Sequence, residues 1–159
     1  MAIRLLALDV DGTLTDGGVY MDGSGNEYKR FDVRDGMGIA LLRKGGVEVA
    51  LISGRFSPAT ERRAAELQIT RLFNGVGEKF PVLRALTEEL GISLEETAYM
   101  GDDVNDLECL RAAGLALVPA DGVEEARGAA DRITPSRAGY GAVRDAAEFI
   151  LAENRRTAP

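Results

Sequence analysis

Two acidic stretches have the residue types and spacing to do chemistry. In Leu8-Asp9-Val10-Asp11-Gly12-Thr13-Leu14-Thr15, an apolar run beginning at Ile3 stops on two carboxylates at i and i+2. The run is too short to cross a membrane and long enough for one buried strand. The acids therefore stand at a strand end, where open α/β sheets bind their ligands. Alternation along an extended chain aims Asp9 and Asp11 at one face, and Gly12 lets the backbone turn sharply and offer amide donors. Carboxylates, amides and a hydroxyl together suit a cation and a phosphate. The plainer alternative is a solvated Asp-Gly turn.

The second stretch, Met100-Gly101-Asp102-Asp103-Val104-Asn105-Asp106, crowds three carboxylates that repel one another unless a cation or hydrogen-bond donors compensate. It is no calcium-binding EF-hand loop, and neither is the Asp9 loop, where the closing Glu position is Tyr20. Asp is ordinary at a helix N-terminus, but beside Asp9 and Asp11 a second acidic strand end reads as a metal site. Between the two lie Ile52-Ser53-Gly54-Arg55 and Gly75-Val76-Gly77-Glu78-Lys79. Ser53 and the amides about Gly54 suit a phosphate oxygen, and Arg55 adds a fork-shaped cation. The glycines before Lys79 fit neither a dinucleotide fingerprint nor a Walker loop. What remains is Lys79 at a helix start, where it opposes the helix dipole; a nearby anion would explain it.

Composition narrows the chemistry. The 159 residues contain no histidine, which excludes Ser-His-Asp and Cys-His catalysis and His-ligated zinc. Acid–base work falls to Asp, Glu, Lys or Tyr, and hard carboxylate oxygens favour magnesium. A net charge of −7 argues against nucleic acid or an anionic membrane as partner. The first residues lack the apolar core and cleavage site of a secretory leader. With a single cysteine, Cys109, that predicts a cytoplasmic protein.

These residues need elements to hold them. Strand patterns fall at Arg4–Leu8, Val47–Ile52, Arg71–Phe73, Ala98–Met100, Leu115–Val118 and about Asp131–Ile133. Helical patterns fall at Gly36–Lys44, Pro58–Leu67, Pro81–Leu90, Asn105–Ala113, Val123–Ala130 and Ala142–Asn154, with Ser57 a candidate N-cap. The alternation predicts an α/β fold: one domain over residues 1–159, with a mostly parallel, Rossmann-like sheet and helices on both faces. Residues 16 to 36 break the rhythm. There Val19-Tyr20-Met21 and Glu27-Tyr28-Lys29-Arg30-Phe31 flank a turn-rich centre, which reads as a β-hairpin insert too short for a separate cap domain. Tyr20, Met21 and Tyr28 would leave it sticky unless another chain or a substrate covers them.

Asp-x-Asp, Ser, Lys and Asp-Asp at successive strand ends is the motif order of the haloacid dehalogenase superfamily, and the sequence closely resembles its phosphatases. The resemblance implies that Asp9 is the nucleophile and forms an aspartyl-phosphate. Asp11 would protonate the leaving alcohol and then activate water. Mg²⁺ would be held by Asp9, Asp102 and the backbone carbonyl of Asp11, supported by Asp103 and Asp106. Ser53 and Lys79 would bind the phosphoryl group. An Asp at position 11 favours phosphate-ester hydrolysis over dehalogenation.

The hairpin, Phe31–Ile39, Ser53-Gly54-Arg55, Gly101–Asp106 and Gly139–Asp145 together resemble the capless 3-deoxy-D-manno-octulosonate 8-phosphate (KDO 8-phosphate) phosphatase family. That resemblance implies a homotetramer joined through hairpins, each site closed by a neighbour. It also implies a role in lipopolysaccharide biosynthesis, with Arg55 gripping a sugar acid's carboxylate. The sequence departs from the family at Tyr140, where the family has Arg. Phosphatases for nine-carbon KDN or N-acylneuraminate 9-phosphates, a broad-specificity sugar phosphatase and a non-catalytic module on the same fold are the alternatives.

Overall fold

The computed structural model describes residues 1–158. Six strands form one parallel sheet: β1 (Leu5–Leu8), β4 (Glu48–Ser53), β5 (Arg71–Asn74), β6 (Thr97–Met100), β7 (Leu115–Val118) and β8 (Arg132–Ile133), in the order β5-β4-β1-β6-β7-β8. The helices are α1 (Val33–Lys44), α2 (Pro58–Glu66), α3 (Lys79–Leu90), α4 (Leu107–Ala112), α5 (Glu124–Gly128) and α6 (Ala142–Thr157). No described helix is long and apolar enough to cross a membrane.

The unbroken apolar run of β1 follows from its central place. Leu6 and Leu8 pack into one core with Ile39 and Leu42 of α1 and Val143, Ala146 and Ile150 of α6. Leu5 and Ala7 face the opposite core with Leu83 and Leu86 of α3 and Cys109 and Leu110 of α4. A strand buried on both faces has no polar side to alternate with. Register then levels the strand ends, since Leu8 pairs with Leu51 of β4 and with Met100 of β6. The chain after β1 thus emerges between Ser53 and Asp102, where the strand order reverses.

Several boundaries differ from the sequence reading, and three of the differences bear on the site. Helix α1 begins at Val33 rather than Gly36, because Asp32 caps it by accepting from the Arg34 amide at 2.8 Å. Gly36 and Gly38 weaken it intrinsically, but its packing on α6 outweighs that. The expected helix from Asn105 splits into a 3₁₀ turn, Val104–Asp106, capped by Asp103, and then α4. The insert is smaller than 16 to 36: β2 (Tyr20–Met21) and β3 (Glu27–Tyr28) pair antiparallel, and the first helix has begun by Val33.

Candidate active site

Asp9 follows β1 directly and is 5% exposed. Its amide donates to the Met100 carbonyl at 2.9 Å, which ties the loop to β6. Gly12 then takes φ +80, and a Cβ there would meet Asp102 Oδ2 at 2.1 Å. This glycine supplies both the left-handed turn and the space for Asp102. The Thr13 hydroxyl donates to Asp102 Oδ1 at 3.3 Å. Carboxylate oxygens of Asp9, Asp102 and Asp106 lie within 4.8 Å of one another.

One cation answers them. Lys79, at the first position of α3 and buried, donates to Asp9 at 2.6 Å and to Asp106 at 2.9 Å. Its unfavourable place on the helix dipole is explained by these partners. Burial alone would favour the neutral amine, but the two carboxylates outweigh it and raise the Lys79 pKa. Asp9 is pushed well above the usual carboxylate range, chiefly by burial, then by Asp106, with Lys79 opposing. Asp102 is also raised, again chiefly by burial. One lysine does not neutralise three acids, so the cluster favours a second cation.

The donor set fits a hard divalent cation held by Asp9 and Asp102. Asp106 is already engaged. Its Oδ1 accepts from Lys79 and, at 2.5 Å, from the Tyr99 hydroxyl; its Oδ2 accepts from the amides of Asp102 and Asp103. With both oxygens doubly bonded, Asp106 braces Lys79 and the loop beside Asp9 and Asp102. Asp103 is exposed and bonds the Val104 amide at 2.7 Å. Asp103 also lines the cavity that opens over Asp9 and Asp102.

Above this cluster opens a cavity of about 390 Å³, lined by Asp9, Asp11, Gly54, Arg55, Val76, Gly77, Asp102, Asp103 and Asn105. Ser53 is fully buried at the end of β4, its hydroxyl donating to the Arg55 carbonyl at 2.9 Å. The hairpin supplies a layer that the motifs do not disclose. Lys29 Nζ donates to Asp11 at 2.5 Å and to Glu27 at 2.9 Å. Glu27 accepts from Arg55 at 2.8 Å, and Arg55 lies 3.9 Å from Asp11. Four alternating charges thus close a ring at the cavity mouth. Glu27 and Lys29 sit two apart, on β3 and just past its end, and both bond toward the site, the one sequence signal that could have found them. Tyr140 lies between the guanidinium groups of Arg30 and Arg137, each 3.9 Å from its ring centre.

Similar proteins share this architecture. Residues 72–146 match the haloacid dehalogenase-like hydrolase family. The 3-deoxy-D-manno-octulosonate 8-phosphate phosphatase KdsC of Escherichia coli (strain K12) is 42% identical over 149 residues, 94% of this chain and 79% of that protein. The Haemophilus influenzae protein of the same name is 40% identical over 149 residues, covering 94% and 83%. Among solved structures, the Moraxella catarrhalis 3-deoxy-D-manno-octulosonate 8-phosphate phosphatase in complex with magnesium ion, phosphate ion and KDO superposes with a TM-score of 0.93. Its identity is 42%, over 97% of this chain and 88% of that one. The cobalt-bound Haemophilus influenzae enzyme gives a TM-score of 0.93 at 38% identity, over 98% and 91%.

Proposed function

Because the chain belongs to the haloacid dehalogenase-like hydrolases, in the family of the 3-deoxy-D-manno-octulosonate 8-phosphate phosphatases, we propose that it hydrolyses KDO 8-phosphate to KDO and phosphate with Mg²⁺. The observation that carries this reading is the buried Asp9 carboxylate, 2.6 Å from Lys79 and at the floor of an open acidic cavity.

Asp9 attacks the phosphorus. A bond forms from its carboxylate oxygen while the bond from phosphorus to the sugar oxygen breaks. Asp11 gives its proton to the departing oxygen, so the sugar leaves as an alcohol. Asp11, now ionised, takes a proton from water, whose oxygen attacks the phosphorus of the aspartyl-phosphate. Phosphate leaves and Asp9 is restored. Lys79 offsets the charge of Asp9 as an anionic substrate approaches, and the Ser53–Gly54 turn receives phosphoryl oxygens. Asp9, Asp102 and the Asp11 carbonyl would hold Mg²⁺, which when bound would supply the further positive charge that two approaching anions require. Asp103 and Asp106 support that site from outside. Arg55 is free to exchange Glu27 for the sugar acid's carboxylate.

The same reading makes the enzyme a homotetramer. Val19 and Met21 are each 59% exposed and Tyr28 63%, an apolar hairpin surface that a neighbouring subunit would cover. It also places the enzyme in the cytoplasm, in lipopolysaccharide synthesis, with neither nucleic acid nor membrane as partner. Tyr140 replaces the family's Arg, which favours keeping nine-carbon sugar acid phosphates as a second reading.

The test is phosphate release with Mg²⁺ against an EDTA control, over KDO 8-phosphate, KDN 9-phosphate, N-acetylneuraminate 9-phosphate and hexose phosphates. Preference for the eight-carbon acid is expected. Preference for a nine-carbon acid would move the substrate assignment, and no Mg²⁺-dependent release would overturn the enzyme reading.

A further inference from the structure

We infer that Lys29, on the hairpin, is the positioning residue for Asp11. The inference rests on the reading of Asp11 as proton donor and goes beyond it. Lys29 follows β3, and its side chain is only 1% exposed although it belongs to a hairpin whose Tyr28 points into solvent. Burying an ammonium is unfavourable unless it is paired and hydrogen-bonded. Here it has two carboxylate partners, Asp11 at 2.5 Å and Glu27 at 2.9 Å. A surface hairpin with no task at the site would leave its lysine in water.

The geometry has a chemical consequence. Asp11 stands in the loop after β1, beside the left-handed turn at Gly12. Its Oδ1 is held by Lys29, which leaves Oδ2 as the oxygen able to carry a proton toward a leaving group. Oδ2 lies on the Arg55 side, at the mouth of the cavity. A free Asp side chain samples several rotamers, whereas one anchored through Oδ1 presents Oδ2 in one direction. Glu27 holds Lys29 in place and also binds Arg55 at 2.8 Å. The hairpin therefore orients the acid within its own subunit, in addition to any surface it offers a neighbour.

The experiment separates orientation of the acid from general support of the fold. An alkyl phosphate needs its leaving oxygen protonated, while p-nitrophenyl phosphate releases a stable anion and needs little help. Because kcat/KM reports steps up to cleavage of the ester, it would be measured for KDO 8-phosphate and p-nitrophenyl phosphate with wild type, K29M, K29Q and D11N. Misaimed catalytic groups lose about 100-fold, so K29M and K29Q are expected to lose roughly 10- to 100-fold on the sugar phosphate and much less on the aryl ester. D11N should show the same selectivity, more strongly. If D11N is selective and both Lys29 variants lose the two substrates in equal proportion, Lys29 only supports the fold and the inference is overturned. If D11N itself is unselective, the reading of Asp11 fails first. K29Q keeps a hydrogen-bond donor without the charge and answers the question should K29M not fold.

Discussion

Lys79 donates to Asp9 at 2.6 Å, joining the first residue of α3 to the residue that follows the central strand. The pair is buried, and the same ammonium is held by Asp106 at 2.9 Å. Removing one partner of a buried pair strands a charge and destabilises by roughly 3–5 kcal/mol. K79M should therefore lower stability by about that amount in EDTA and abolish turnover. Adding D9N to K79M should recover part of the stability, because one of the two stranded carboxylates is then neutral. A double-mutant cycle by urea unfolding reads the coupling; additive losses would contradict the account.

Mg²⁺ should stabilise the wild type measurably. An ion that binds only the folded state adds about 2.7 kcal/mol at 100 times its Kd. The cluster of Asp9, Asp102 and Asp106 is under-neutralised, so thermal unfolding should rise with Mg²⁺ in wild type and much less in D102N. D103N, altering an exposed carboxylate that supports the site only from outside, should keep most of the shift. Equal Mg²⁺ shifts in wild type and D102N would remove Asp102 as a ligand.

Gly12 should tolerate no side chain. At φ +80 an alanine loses about 1–2 kcal/mol from backbone strain, and its Cβ would stand 2.1 Å from Asp102 Oδ2. G12A should lower the melting temperature by several degrees and reduce kcat by 100-fold or more by displacing Asp102. Near-normal turnover in G12A would show that Asp102 can move without consequence.

Asp35 gives the fold a pH dependence away from the site. It is fully buried in the first turn of α1; one oxygen accepts from the Arg144 amide of α6 at 2.9 Å, and the other has no partner. Burial pushes its carboxyl from 3.8 up to about 6. Folding therefore disfavours the charged form: the contribution is fully present below about pH 4 and is lost as pH rises through 6, with a ceiling of ~3 kcal/mol. Relative to D35N, the wild type should gain stability between pH 8 and pH 5, read by thermal unfolding. A pH-independent offset would show that Asp35 does not titrate in that range.

The centre of the sheet was legible because β1, β4 and β6 are apolar runs that lead to Asp9, Ser53 and Asp102. The Leu115–Val118 strand matches its pattern, and β1 differs by one residue. The four motifs also located Asp9, Asp11, Ser53, Lys79 and Asp102, since polar residues at the ends of buried strands stand out. The rest depended on long-range contacts. Asp106 looks like a metal supporter in a run of acids, and only the fold brings Tyr99 and Lys79 to it. Glu27 and Lys29 lie in a turn-rich surface segment, and their ion pairs with Asp11 and Arg55, distant in sequence, make them part of the site. Helix α1 starts early because a cap and its packing on α6 override two glycines.

The most direct test of the central claim is to trap phosphate on Asp9. The enzyme would be mixed with KDO 8-phosphate and Mg²⁺, acid-quenched during turnover and reduced with borohydride, which converts an acyl-phosphorylated aspartate to homoserine. The tryptic peptide from Leu5 to Lys29 contains the whole first loop. The account predicts homoserine at position 9 in that peptide, absent from D9N, which should be inactive and folded. Modification at another residue, or substantial turnover by D9N, would contradict it.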